Sequence, residues 1–226
     1  MPRRTLAISD IHGELERFEK LLDEVAYDPD QDELVLLGDY IDRGPDPRGV
    51  VDRVHELREG GATVLTGNHE QMMVGAFEGD PVSIARWFRN GARETLRSYG
   101  HPAADADEPP ESLEQLPEMA DHLEFMAGLD YYRETDDVIF VHGGIDPDTP
   151  IAQTDPHLLL WIRDRFILGY DGPKTVVFGH TATELIHGSS DVYFGDNNVI
   201  GIDGGAVYGG LLHCLELPAR RVYSVA

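Results

Sequence analysis

Five short apolar runs in this chain each end in a turn carrying Asp, His or Asn, and that repetition restricts the fold more than any other feature. Thr5–Ser9 runs into Asp10-Ile11-His12-Gly13, Leu34–Leu37 into Gly38-Asp39, and Ala62–Thr66 into Gly67-Asn68-His69-Glu70. Val138–Val141 runs into His142-Gly143-Gly144, and Thr175–Phe178 into Gly179-His180-Thr181. Short apolar runs without polar alternation suit strands buried on both faces. Asp and Asn favour turns for local backbone reasons, but that preference does not account for the repeated histidines. Strand ends of an open α/β sheet are where ligands bind, so the pattern reads as a site assembled from separate strands.

Helical spacing fills the gaps. Leu15, Phe18, Leu21, Leu22 and Val25 lie on one face of a helix over Glu14–Ala26, and Val50, Val51, Val54 and Leu57 on one face of another, which Gly60-Gly61 ends. Three consecutive strand–turn–helix units predict a largely parallel sheet with right-handed crossovers. Between Met72 and about Arg133 the strand signal disappears. There Ser83–Tyr99 reads as a helix, His101–Pro117 as an acidic, proline-rich surface loop, and Leu123–Leu129 as a short helix. His157–Ile167 is also helical in spacing. The tail, with runs at Val192–Phe194, Val199–Ile202, Leu211–Leu217 and Arg221–Val225, is antiparallel in character. The expectation is an α/β chain with two packed mixed β-sheets flanked by helices, forming a single domain over 1–226 with a mainly helical insertion at about 72–133.

Charge narrows the partners. The chain has 42 Asp+Glu against 18 Lys+Arg, a formal net charge of −24, and its only lysines are Lys20 and Lys174. Such a surface repels nucleic acid and anionic membranes. The acidic excess is spread along the whole chain, the pattern expected of a protein adapted to a salt-rich cytoplasm. No run approaches the roughly 18 apolar residues of a membrane span, and the Met-Pro-Arg-Arg start lacks an export signal's apolar region. A cytoplasmic location is expected. Cys214 is the single cysteine and reads as a small buried hydrophobe, so metal binding would rest on other ligands.

Carboxylate, imidazole and amide oxygen together suit a borderline divalent metal such as Mn, Fe or Zn better than Ca. The inventory exceeds the needs of one ion, and Asp39 on a central strand is placed to bridge two. Two metals roughly 3.5–4 Å apart serve in-line displacement at phosphorus by lowering the pKa of a shared water and polarising phosphoryl oxygens. Arg43 lies four residues beyond Asp39, with a fork of donors matched to phosphate. Alone, Asp42 and Arg43 would read equally as a surface turn pair.

In order and spacing, Asp10-Ile11-His12-Gly13, Gly38-Asp39-Tyr40-Ile41-Asp42-Arg43-Gly44 and Gly67-Asn68-His69-Glu70 resemble the three signatures of PPP-type serine/threonine phosphatases. The resemblance spans about Leu6 to Ala206 and is nearest to the compact bacterial and archaeal branch, which includes symmetrical diadenosine-tetraphosphate hydrolases. It implies the calcineurin-like metallophosphoesterase fold, an α/β/β/α sandwich. It also implies that Asp10 and His12 hold a first metal, that Asp39 bridges, and that Asn68, His142 and His180 hold the second, with manganese favoured and iron or zinc as alternatives. By the same resemblance His69 is the general acid, Asp42 fixes its tautomer, and Arg43 clamps the phosphate with a second arginine, Arg163, for which Arg165 competes. Asp203 resembles a family position near the site, but Gly204 follows it where Thr is usual. Trp161 reads as a core or rim aromatic. Trp87, Arg89 and Asn90 either border the cleft or belong to a helix that packs its aromatic face inward.

The expected activity is hydrolysis of phosphomonoesters by direct attack of a dimetal-bound hydroxide, without a phosphoenzyme. The expected partner is a phosphoprotein or small phosphorylated substrate, first phosphoserine or phosphothreonine protein, because Asp42 and Arg43 are both in place. The rivals are a symmetrical dinucleoside polyphosphate hydrolase and, more remotely, a non-catalytic metal-binding scaffold. Oligomeric state is left open.

Overall fold

The computed structural model describes residues 4–106 and 108–226. Met1–Arg3, part of the segment read above for an export signal, and Asp107 of the acidic loop lie outside the described residues. The strands form two five-stranded sheets. The first contains β1 (Arg4–Ile8), β2 (Asp32–Leu36), β3 (Thr63–Val64), β9 (Leu212–Leu217) and β10 (Arg221–Val225), in the order β10-β9-β1-β2-β3. The second contains β4 (Tyr132–Glu134), β5 (Val138–Val141), β6 (Thr175–Phe178), β7 (Tyr193–Phe194) and β8 (Val199–Gly201), in the order β4-β5-β6-β8-β7.

Alternation along each strand explains the layering. In β1, Ala7 joins Val35, Leu37, Phe140, Val177, Ile200 and Leu215 in an apolar layer between the sheets. Its neighbours Leu6 and Ile8 join Leu34, Leu36, Phe18 and Val54 on the opposite face, under the helices. In the second sheet Ile139, Val141, Val176 and Phe178 face outward onto Ile162 and Phe166. Side chains two apart share a face, so a continuous apolar run satisfies both layers at once. Each fully buried Leu, Ile or Phe contributes about 1.5–3 kcal/mol, enough for these runs to pin the strand register. The result is the expected α/β/β/α arrangement, with Cys214 buried in the layer under the helices.

The parallel order β1-β2-β3 matches the three strand–turn–helix units. Helix α1 (Leu15–Glu24) follows β1, α2 (Pro47–Glu59) follows β2 and α3 (Asn68–Phe77) follows β3. Asp46 caps α2 by accepting from Gly49 N at 2.9 Å, and Pro47 occupies the first turn. The tail departs from expectation: β9 and β10 are antiparallel, but β8 runs parallel to β6. Val199 and Ile200 are buried on both faces, the environment of a central parallel strand.

Two expected helices are each split. Ser83–Tyr99 falls in α4 (Pro81–Arg89) and α5 (Ala92–Ser98). The break is at Gly91, with φ +113°, where a Cβ would lie 2.8 Å from Cγ of Arg43. His157–Ile167 falls in α7 (Pro156–Trp161) and α8 (Asp164–Gly169), separated by Ile162 and Arg163 in non-helical conformations. Both breaks face the site. The acidic segment forms two short 3₁₀ turns, Pro102–Asp105 and Pro117–Met119, ahead of α6 (Ala120–Ala127). No helix among the described residues is long and apolar enough to cross a membrane.

Candidate dimetal site

One cavity of about 140 Å³ is lined by Asp10, His12, Asp39, Arg43, Asn68, His69, Arg163 and His180. His142 and Asp42 are buried directly behind these residues. The C-terminal ends of β1, β2, β3, β5 and β6 deliver the ligand candidates, and the turns hold them by strained backbone. Asp10, His12, Asp39, Asp42, Arg43 and His180 all have positive φ, between 46° and 74°. Few non-glycine residues adopt that region, and their concentration at one site means the surrounding fold enforces it. Gly38 makes the close approach possible: a Cβ there would meet Gly67 N at 2.4 Å.

The donor atoms converge in two groups, His12 with Asp39 and His69, and Asp39 with His142 and His180, each within 4.8 Å of one another. Asp39 belongs to both. His12 Nε2 lies 3.5 Å from Asp39 Oδ2, and His142 Nε2 lies 3.4 Å from Asp39 Oδ1. Asn68 Oδ1 is 3.0 Å from His142 Nε2. Asp10 is in the cavity, but its carboxylate accepts from His180 N at 3.0 and 3.1 Å and from Ser9 Oγ at 2.5 Å. His69 thus stands in the first group by distance where Asp10 does not, although its Nδ1 is committed elsewhere.

Three observations test whether divalent cations fit. His180 Nε2 is buried without a hydrogen-bond partner, an arrangement that needs an explanation in a folded protein. His12 Nδ1 donates to Ile41 O at 2.8 Å and turns its Nε2 lone pair inward, where Arg43 Nη1 approaches to 2.6 Å. Both nitrogens of His142 face acceptors, Leu37 O at 2.9 Å and Asn68 Oδ1 at 3.0 Å, so an Nε2 proton stands where a cation would. Electrostatics agree. Burial would raise the Asp39 carboxyl, but the imidazoles of His142, His69 and His12 outweigh it and hold it well below the usual carboxylate range. Burial opposes protonation of His142, yet Asp39 and Asp10 lift it to about 9. Burial, then His142 and Arg163, keep His180 well below its ordinary value and hence neutral. Burial and Asp203 push Asp10 well above the carboxylate range. This crowd of carboxylates and imidazoles matches a borderline divalent donor set.

His69 Nδ1 donates to Asp42 Oδ2 at 2.5 Å, with both side chains buried. Asp42 is gripped further by Trp87 Nε1, 2.9 Å from each carboxylate oxygen, and by Thr95 Oγ1 at 2.5 Å. Glu70 ties the second and third turns together: it accepts from Asp39 N and Gly67 N at 2.8 Å and from Tyr40 N at 2.9 Å. The contacts of Thr95, Glu70 and Ser9 are absent from the sequence reading, and Trp87 lies under the site instead of bordering the cleft. Asn90 does line the cavity, whereas Arg89 is exposed outside it. Arg163 also lines it, donating to Thr181 Oγ1 at 3.1 Å. Arg165 pairs with Asp146 and Asp148 at 2.8 and 2.9 Å on the outside. Asp203 lines the cavity and accepts from Gly205 N at 2.9 Å. Trp161 sits on the rim, edge-on to His180 at 5.6 Å. The far wall, Ala182, Leu185, Val207 and Tyr208, carries no chemistry legible in sequence.

Paired mixed sheets with shared-carboxylate histidine clusters at their strand ends define a metallophosphoesterase. The chain belongs to the calcineurin-like phosphoesterase family, whose profile matches residues 3–209. It is 34% identical over 215 residues to serine/threonine-protein phosphatase 1 of Salmonella typhimurium, covering 93% of this chain and 90% of that one. It is 27% identical over 244 residues to an asymmetrical bis(5'-nucleosyl)-tetraphosphatase of Bacillus thuringiensis, covering 96% and 92%. Among solved structures, a candidate diadenosine tetraphosphatase superposes with a TM-score of 0.71 at 24% identity, covering 98% of this chain and 92% of that one. The chain is thus a PPP-type phosphoesterase, and its relatives act on both protein and nucleotide substrates by name.

Proposed function

We propose that the protein removes phosphate from phosphoserine and phosphothreonine in proteins. The observation that carries this reading is the buried Asp42–His69 pair, held from behind by Trp87 and Thr95. A serine or threonine alkoxide is a poor leaving group and departs only with a proton, so an oriented acid is needed at that position. A phosphoanhydride releases an already stable phosphate anion and asks much less of the acid. The Salmonella relative supports the same choice.

Asp10, His12 and Asp39 would hold one cation, and Asp39, Asn68, His142 and His180 the other, with manganese the first choice and iron or zinc the alternatives. Bound there, the metals supply Lewis acidity toward phosphoryl oxygens and lower the pKa of coordinated water. The chain's own residues do the rest. Arg43 and Arg163 enter the cavity from opposite elements and present guanidinium forks to the remaining phosphate oxygens. Arg43 also touches His12 Nε2 at 2.6 Å, so the same nitrogen that would hold a cation now holds one arm of the fork meant for phosphate. Asp42 holds the proton on His69 Nδ1, so the acid is the imidazolium, and its second proton, on Nε2, 3.8 Å from Asp39 Oδ2, is the one passed to the leaving oxygen.

A second reading, hydrolysis of dinucleoside polyphosphates, draws support from the Bacillus relative, whose name specifies asymmetrical cleavage. Assaying a phosphoserine peptide beside diadenosine tetraphosphate tests the choice. A higher kcat/KM for the peptide is expected, and a preference for the tetraphosphate would overturn the protein-phosphatase reading.

A further inference from the structure

Beside the dimetal cavity lies a second cavity of about 230 Å³, which shares Asn68 and Trp161 with it. Its other polar lining comes from Gln71, Ser83, Arg86, Tyr131 and His157. Among the described residues no carboxylate lines it, in a chain with 42 acidic residues against 18 basic ones. Arg86 is half-buried, with its guanidinium 5.2 Å from the Trp161 ring centroid, and it has no ion pair with a carboxylate among the described residues. Most of the chain's other interacting arginines, such as Arg4, Arg53, Arg133 and Arg165, sit on carboxylates. A half-buried cation on an aromatic face, felt by the exposed Asp80 that caps its own helix but paired with no carboxylate among the described residues, is arranged for an anion that arrives from outside.

Trp161 measures the distance between the two cavities. Its ring is 5.2 Å from the Arg86 guanidinium and 5.6 Å from the ring of His180, so Arg86 lies no more than about 11 Å from that candidate ligand. An extended peptide rises about 3.3 Å per residue, and side chains two or three positions apart span that interval. We propose that this groove is a specificity subsite for an acidic side chain, Asp or Glu, two or three residues from the phosphorylated one, with Arg86 as its anchor. Gln71 and Tyr131, themselves 3.4 Å apart, supply further polar groups along the same path. The assignment rests on the protein-phosphatase reading and refines its substrate class.

The test compares two phosphoserine peptides that differ only in carrying Glu or Gln at positions two and three from the phosphoserine, on both sides. For the wild-type protein the ratio of kcat/KM, acidic over neutral, should be roughly three- to ten-fold, in line with one partly exposed charge-assisted contact. Arg86→Gln should bring that ratio to about one, and Arg86→Glu should invert it. Loss of fold would lower both peptides together and leave the ratio unchanged, so the ratio separates recognition from stability. An equal ratio in the wild type and Arg86→Gln overturns the subsite alone. Turnover of diadenosine tetraphosphate with neither peptide cleaved overturns the subsite together with the reading beneath it.

Discussion

Asp42 is fully buried and makes its living, in chemical terms, as an acceptor: His69, Trp87 and Thr95 all donate to its two oxygens. Removing one donor from a buried carboxylate leaves a charge underpaired, at a cost of about 1.5–3 kcal/mol. Trp87→Phe keeps the ring and deletes only the N–H, so the ring of His69 loses part of its orientation while the cavity keeps its shape. His69→Asn should lower kcat by roughly 10²–10⁴-fold on phosphoserine peptide, and much less on p-nitrophenyl phosphate, whose leaving group needs no proton. Trp87→Phe should show the same bias toward the activated substrate in milder form. Equal losses on both substrates for His69→Asn would remove it from the acid role, and equal losses for Trp87→Phe would make Trp87 a packing residue only. The Asp42–His69 contact was implied by the family resemblance, but those of Trp87 and Thr95 were not readable beforehand, because they lie 45 and 53 positions away on α4 and α5. The ligand candidates were legible for the opposite reason: each directly follows an apolar run.

At the scale of elements, the site depends on turns locked to one another. Glu70 sits in the first turn of α3, yet its carboxylate holds backbone N–H groups of the turn after β2, at Asp39 and Tyr40, and of Gly67. Glu70→Gln leaves one oxygen for four donors, Ile41 N at 3.4 Å included, and turns an amide NH₂ toward the others. A cost of about 2 kcal/mol lowers Tm by roughly 4–8 °C in a domain this size, and manganese affinity should fall with it because Asp39 loses its anchor. Unchanged Tm and unchanged metal affinity would show that the β2 turn holds itself. Sequence periodicity located every long strand but merged α4 with α5 and α7 with α8, since both halves of each pair keep apolar spacing across the break. Gly91 marked the first break, whereas Arg163 interrupts the second with no local signal, and its neighbourhood is where the phosphate-facing arginine emerges. The parallel pairing of β8 was illegible because a three-residue strand carries no directional pattern.

Over the whole molecule, charge is the dominant long-range term. Favourable ion pairs such as Arg4 with Asp32 and Arg133 with Glu33 weaken as salt rises, but so does repulsion within a net charge of −24. Exposed pairs are each worth about 0–1 kcal/mol, and acids outnumber bases by more than two to one, so relief of repulsion should win. The screening length falls from about 30 Å at 0.01 M salt to about 3 Å at 1 M, and Tm should rise by several degrees over that range of potassium chloride. A flat or falling Tm would remove the inference of a salt-adapted surface.

Asp39 shared between two cations, at the meeting point of strand ends from both sheets, is the claim on which the function depends. Anomalous diffraction from crystals grown with manganese tests it directly. The expected result is two peaks roughly 3.5–4 Å apart on either side of the Asp39 carboxylate, one near His12 and the other near His142 and His180. A single peak, or peaks away from Asp39, would contradict it.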